Sequence, residues 1–471
     1  MTMLVPILER VIFYSGWFVL VYYLLVNGIY LMVQVAGLAH LRDDLKRKRW
    51  GPMMQPFESA FVPGIAVLVP AYNEAPVIEE TVQALLHLNY PDTEVIVVND
   101  GSDDETLTRL RSTFDLVQTG TEVPFELPSE PIRGVYESET YPDLVVLDKA
   151  NGGKSDALNA GLWYTEQPLF CSLDADSVID REGLMQVVKP FLDHPEEMVA
   201  TGGTVRIGNG CTIDQGEVLE TKLPTSLLSE LQVIEYLRAF YSGRLGLDQL
   251  NSLILISGAF GLFRTDVIRD IGGFDTASVT EDFDLVVRLH KHLSENDRPY
   301  RVAFVPEPVV WTEVPESLRI LARQRRRWYR GLIETVIRHR SMIGRRRYGP
   351  SGYFGLPALV AAEGLGPLIE GAGYIIVPVS FLIGVADIEF VVLYFVLTTG
   401  VGVFLSWFGV FSEAWSFRRY DRPSQIVRLM GDGVLENFGY RQLKTFIAWH
   451  GLLEYVTGNR SWGRMTRRGF G

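Results

Sequence analysis

Residues 11–39, "VIFYSGWFVLVYYLLVNGIYLMVQVAGLA", contain no charged side chain, and this run constrains the fold more than any other feature. A helix needs roughly 20 apolar residues to cross a bilayer, so the run is long enough to span with tilt. A secretory signal peptide has a shorter apolar core and a small-residue cleavage site. Here "HLRDDLKRKRW" follows at once, which makes the run a permanent anchor. Its basic residues, Arg42, Lys46, Arg47, Lys48 and Arg49, place the following domain in the cytoplasm of a cell membrane by the positive-inside bias. Cys171 and Cys211 are too few for a disulfide framework. A formal net charge of −13 excludes nucleic acid as a general partner, and the basic clusters at 345–347, 418–422 and 460–468 all flank apolar segments, where anionic headgroups attract them.

Between about residues 64 and 310, short apolar runs alternate with helical periodicity. "GIAVLVP", "EVIVVND", "DLVVLDK" and "PLFCSLDAD" predict strands; "EAPVIEETVQALLHL", "DDETLTRLRSTF" and "KSDALNAGLWYT" predict helices. This alternation predicts an α/β domain with a mostly parallel sheet wrapped by helices, whose ligands lie beyond the carboxyl ends of the strands. The proline-rich stretch 118–142 interrupts the rhythm and is expected to be a surface insertion. After residue 350 two further apolar stretches are long enough to span, the first carrying Glu363 and Glu370. Charges at that depth predict an interfacial position or a protected path. The segment 434–456, with Glu436, Arg441, Lys444, His450 and Glu454, predicts an amphipathic or pore-lining helix. The resulting layout is an anchor and basic segment (1–50), a cytoplasmic α/β domain (51–312), amphipathic interface helices (313–350) and C-terminal transmembrane or interfacial helices (351–471).

Four stretches carry chemistry. Asp100 ends a strand in "VVNDGSDDET", where Asp, Gly and Ser also suit a turn and helix cap. Asp174 and Asp176 flank one small residue at a later strand end. They suit a hard divalent cation, and equally a solvated acidic turn. Thr280, Glu281 and Asp282 begin a helix, as an ordinary acidic first turn or with a general base among them. "LARQRRRWYRGLIE", 321–334, is a basic amphipathic helix suited to a membrane surface, and its Trp328 offers a flat face to a sugar ring.

Together and in this order, "VPAYNE", "VVNDGS", "GGKSDALNAG", "DAD", "SGAFGLFR", "TED" and the Q-x-x-R-W match at Gln324, Arg327 and Trp328 resemble the membrane-embedded, processive family-two glycosyltransferases. The resemblance is close over about residues 60–335. It implies a GT-A fold and an inverting hexosyltransferase that uses a UDP-activated sugar. It further implies that Tyr72, Glu74, Asp100 and Lys154 bind the uridine end, while Asp174 and Asp176 hold magnesium or manganese against the diphosphate. Asp282 would be the base and Glu281 would orient. Ser257, Gly258 and Gly261 would let a sugar approach the backbone, Arg327 would stabilise the leaving group with Gln324 beside it, and Trp328 would stack on the acceptor. The implied partners are a UDP-sugar, a growing glycan and the lipid bilayer, with an accessory subunit left open. The "TED" form leans toward poly-N-acetylglucosamine. A cellulose-like β-glucan, or a single sugar added to a lipid acceptor, are the alternatives.

Overall fold

The computed structural model describes residues 4–50, 62–120, 129–214, 217–417, 419–420 and 422–458. The basic cluster at 460–468 and the side chains of 43–50 lie outside the described residues.

The strands are β1 (Ile65–Ala71), β2 (Thr93–Asp100), β3 (Val117–Thr119), β4 (Ile132–Glu137), β5 (Leu144–Lys149), β6 (Leu169–Leu173), β7 (Ser177–Ile179), β8 (Met198–Ile207), β9 (Thr212–Asp214), β10 (Glu217–Glu220), β11 (Phe260–Arg264) and β12 (Arg301–Thr312). β9 and β10 form a separate pair, and the rest form one ten-stranded sheet in the order β3-β4-β5-β2-β1-β6-β11-β8-β12-β7. Its centre, β5-β2-β1-β6, is parallel. β11 runs antiparallel to both β6 and β8, and β4 antiparallel to β5. The stretch expected to be an insertion therefore contributes part of β3 and all of β4 to the sheet. Its polar, proline-rich sequence suits an edge, where one face stays solvated.

Residues alternate between two cores. Ile65, Val67, Val69, Val95 and Val97 face one side, and Ala66, Leu68, Ile96, Val98 and Leu147 face the other; all are buried. Helices cover both faces, so these strands carry continuous apolar runs rather than alternating ones. The helices around the sheet are α2 (Ile78–Leu86), α3 (Thr106–Thr113), α4 (Lys154–Tyr164), α5 (Gly183–Asp193), α6 (Leu227–Glu235), α7 (Gly243–Gln249), α8 (Thr265–Asp270) and α9 (Glu281–Glu295). A π-helical turn, Tyr236–Ser242, joins α6 to α7.

The long N-terminal helix α1 (Leu4–Trp50) crosses α7 at very close range. A Cβ on Gly246 would stand 1.8 Å from the Val33 carbonyl oxygen, so only glycine fits there. The remaining helices are α10 (Leu318–Arg338), α11 (Leu356–Leu359), α12 (Gly366–Leu382), α13 (Ile388–Phe395), α14 (Val401–Ser416), α15 (Pro423–Leu435) and α16 (Arg441–Thr457). Among the described residues, three helical stretches are long and apolar enough to cross a membrane: 10–42, 351–382 and 388–416. α16 packs against α10 and α12.

Helix α9 is anchored by His290, whose ring bonds the Leu253 carbonyl (2.8 Å) and the Tyr300 hydroxyl (2.9 Å). Burial pushes His290 down to about 4, despite the opposing pull of the Leu253 carbonyl. The folded chain therefore holds this ring neutral where the unfolded chain, near 6.5, takes up a proton. Its stabilisation is complete above pH 6.5 and is lost as pH falls toward 4. We expect roughly 2 kcal/mol of stability to disappear between pH 7 and 5 through this one group. Melting temperatures of the detergent-solubilised protein across that range should fall less steeply in His290→Gln.

Candidate active site

The carboxyl ends of β1, β2, β5 and β6 meet at one edge of the sheet, and a lysine organises what gathers there. Lys154, the first residue of α4, donates to Asp174 (2.6 Å), Glu281 (3.0 Å) and the Gly258 carbonyl (3.0 Å). It thereby ties the residue after β6, the start of α9 and the loop before β11. Burial opposes the lysine's charge, but Asp174 and Glu281 outweigh it and raise its pKa well above the ordinary lysine value.

Asp282 sits beside this cluster. One carboxylate oxygen accepts from the Gly258 N–H (2.7 Å) and the other from the Phe283 N–H (2.8 Å). A Cβ on Gly258 would come within 2.9 Å of that carboxylate, so the glycine of "SGAFGLFR" makes room for Asp282. Gly261, inside β11, is crowded by Phe263 and Ile256 and lies outside the cavity lining. Ser257 and Gly258 line the cavity as expected of residues beside a ligand, whereas Gly261 serves the packing of β11. Burial and then Glu281 raise Asp282 above the ordinary carboxylate range, while Lys154 and the two N–H groups oppose them.

Lys154, Asp174, Asp176, Ser257, Gly258, Glu281, Asp282, Gln324, Arg327 and Trp328 all line one cavity of about 1220 Å³. The cavity does not end at the sheet edge. It continues past Tyr22, Asn27 and Tyr30 of α1, Glu370 of α12 and Arg441 of α16, so α/β domain and apolar helices enclose a single space. Glu363, Glu370, Arg441 and Lys444, which the sequence places at an awkward depth, face this space rather than the exterior.

Tyr72, Glu74 and Asp100 lie outside that lining. Tyr72 is exposed, its hydroxyl 3.4 Å from Asp103, and the Glu74 N–H donates to Thr106 (3.0 Å). Asp100 is 3% exposed, and its carboxylate accepts from Lys149 (2.7 Å) and from the N–H groups of Gly152 (2.9 Å) and Gly153 (2.7 Å). Lys149, fully buried, also pairs with Asp156. The described contacts of Asp100 are therefore those of a brace that sets the loop leading into Lys154.

Asp174 and Asp176 present two carboxylates to the cavity, with buried Ala175 between them. Among the described residues no group of three or more His, Cys, Asp or Glu side chains could hold a metal ion. Two carboxylates lining a cavity are nevertheless the donor set by which hard divalent cations bind together with phosphate oxygens and water, and the residues fit that chemistry.

Residues 169–408, about half of the chain, match the family described as Glycosyl transferase family group 2, and residues 66–121 match Glycosyl transferase family 2. The chain belongs to glycosyl transferase family group 2. It is 29% identical over 278 residues to a poly-beta-1,6-N-acetyl-D-glucosamine synthase of Staphylococcus epidermidis, covering 59% of this chain and 56% of the relative. The corresponding Staphylococcus aureus (strain COL) synthase is 30% identical over 276 residues, covering 58% and 56%. The chain thus spans little more than half the length of these relatives. In fold it is similar to a mannosyltransferase of Pyrobaculum calidifontis solved with GDP-Man and Mn2+, with a TM-score of 0.51 at 19% identity over 88% of this chain and 99% of that one.

Within this glycosyl transferase, sequence reasoning missed the segment 227–249. It contributes Glu235, Tyr236, Phe240 and Arg244 to the cavity. Arg244 is buried, and burial pushes its guanidinium down to about 10 against the attraction of Asp282. No motif marks this segment; the π-helical turn in its middle is the kind of irregularity that gathers at functional sites, but it exists only in the folded chain.

If Asp100 braces the loop, Asp100→Asn removes the charge opposite buried Lys149 and weakens two backbone contacts. We expect a loss of roughly 1–3 kcal/mol in stability, read as a lower melting temperature without ligand. A variant with unchanged melting and selectively lost uridine nucleotide binding would return Asp100 to direct ligand contact.

Proposed function

We propose that this chain is an inverting, processive glycosyltransferase that extends a β-linked polysaccharide from a UDP-sugar and passes it between its apolar helices. The observation that carries this reading is the single cavity, which joins Asp282 and Trp328 to Tyr22, Glu370 and Arg441. At about 1220 Å³ it exceeds the roughly 300–1,000 Å³ of an ordinary small-ligand pocket, as a site holding a polymer end must. A transferase adding one sugar to a lipid has no need for such a continuation. The partial likeness to the staphylococcal synthases supports N-acetylglucosamine as the sugar, with glucose as the alternative.

In this reading Asp174 and Asp176 hold a divalent cation, magnesium or manganese, which supplies charge neutralisation at the diphosphate. Lys154 and Arg327 add positive charge from the protein along the same leaving group, and Gln324, whose Oε1 is buried without a hydrogen-bond partner among the described residues, offers an acceptor to the ligand. Tyr72, Glu74 and the loop braced by Asp100 flank the cleft in which the nucleoside lies. Trp328 stacks on the acceptor sugar. The acceptor oxygen forms a bond to the anomeric carbon from the face opposite the diphosphate. The anomeric C–O bond breaks, its electron pair leaves with UDP, and the acceptor proton passes to Asp282. A carboxylate whose pKa is raised is the stronger base for that transfer. Glu281, held by Lys154, orients the lysine and raises Asp282. In this reading the three long apolar stretches cross the membrane and the α/β domain lies on its cytoplasmic side; their length and hydropathy, and the basic residues after the first, support it.

Incubating membranes with a panel of labelled nucleotide sugars and magnesium or manganese should produce a long glycan from UDP-N-acetylglucosamine. Single-sugar lipid products would favour the non-processive alternative. In Asp282→Asn, UDP binding should persist while single-turnover transfer falls roughly 100- to 10,000-fold, as when a general base is lost; undiminished transfer would remove Asp282 from the chemistry. Asp176→Asn should weaken manganese-dependent UDP binding by calorimetry, since one hard anionic ligand is gone.

A further inference from the structure

The acceptor platform is not held by its own helix alone. Arg325, one turn before Trp328 on α10, lies with its guanidinium carbon 4.1 Å from the centroid of the Trp328 ring. The indole also meets the Phe240 ring, with centroids 6.1 Å apart and planes at 77°. Arg325 is 7% exposed, and a buried arginine keeps its place only if its charge is matched. The match is Glu235, the last residue of α6, whose Oε2 accepts from Arg325 (3.0 Å). The same oxygen accepts from the Tyr440 hydroxyl (2.9 Å), and Oε1 pairs with Lys444 (3.4 Å). Lys444 in turn lies 5.0 Å from the Tyr440 ring centroid. One carboxylate therefore joins three helices that approach the cavity from different parts of the chain.

We propose that Glu235 is a positioning residue for the acceptor sugar: by fixing Arg325 it fixes the plane of Trp328, and through Tyr440 and Lys444 it sets that plane relative to the wall of α16. The inference rests on the reading of Trp328 as the acceptor platform. Glu235 itself need not touch sugar. Burial works against its charge, but Arg325, Lys444 and the Tyr440 hydroxyl together hold its carboxyl down to about 2, so it is a fixed anion at any pH where the enzyme works. The bonds of Glu235 go to Arg325, Tyr440 and Lys444, while Lys154 and Asp174 are bonded to each other at the sheet edge. Its loss should consequently be felt on the acceptor side of the reaction and not on the donor side.

The test uses the full-length protein in detergent, with single-turnover transfer from UDP-N-acetylglucosamine to an added β-linked N-acetylglucosamine oligosaccharide. Glu235→Gln keeps the side chain's size but leaves Arg325 and Lys444 without their anion. We expect its KM for the oligosaccharide to rise roughly 10- to 100-fold, the scale of a misplacement of about 1 Å. KM for the UDP-sugar and manganese-dependent UDP binding should stay at the wild-type value, and product chains should shorten. Glu235→Asp, which restores the charge, should recover part of the acceptor KM even if its melting temperature is no higher than that of Glu235→Gln. Trp328→Ala is the control for the underlying reading. If it leaves the acceptor KM unchanged, the platform reading fails and this inference with it. If Trp328→Ala raises that KM while Glu235→Gln does not, or if Glu235→Gln raises donor and acceptor KM together, the platform stands and the positioning role of Glu235 is overturned.

Discussion

Three carboxylates, Asp174, Glu281 and Asp282, converge at the sheet edge from two separate elements, and their mutual repulsion would splay the site apart. The Lys154 ammonium prevents this by bonding Asp174, Glu281 and the Gly258 carbonyl at once. It can do so because α4 starts there, and α4 starts there because the Asp100 carboxylate holds the N–H groups of Gly152 and Gly153. Lys149 balances Asp100 and Asp156 beneath it. The site is thus a stack of alternating charges. Lys149 and Lys154 each hold two carboxylates that come from different elements.

The same economy governs the contact between the α/β domain and the apolar helices. Polar groups at such depth are costly unless they pair or face a cavity. Arg206 of β8 pairs with Glu413 of α14, both buried, and Arg238 pairs with Glu436 at 2.5 Å. Arg441 pairs with Glu370 at 2.6 Å. The first two pairs tie the helices to the domain and the third joins α12 to α16, while the space between is lined by apolar side chains with hydroxyl, amide and charged groups among them. The close crossing of α1 over α7, at Gly37 and Gly246, fixes the remaining side of that space.

Much of this was legible along the chain because its causes are local. An uncharged run announces α1, alternating apolar runs announce β1, β2, β5 and β6, and the fixed order of short motifs announces a nucleotide-sugar site. Asp174, Asp176, Glu281, Asp282, Gln324, Arg327 and Trp328 do meet at one cavity. β4, which lies between the edge strand β3 and β5, was missed because only part of it is buried and its apolar pattern is weak. The segment 227–249 was missed because Glu235 and Arg244 are ordinary helix residues until other elements bury them.

What the sequence by itself determined is the identity of the elements and the residue types available for chemistry, since periodicity, capping and charge act over a few residues. Only the tertiary structure decided who pairs with whom. Asp100 is braced by Lys149 across neighbouring strands; Lys154 answers to Asp174 and Glu281 rather than to its neighbours in sequence; and Glu235 reaches Arg325, Tyr440 and Lys444 from 90 to more than 200 positions away. Such pairings follow from burial. In water each of these charges is satisfied alone, and only the low-dielectric interior created by folding makes a specific partner compulsory.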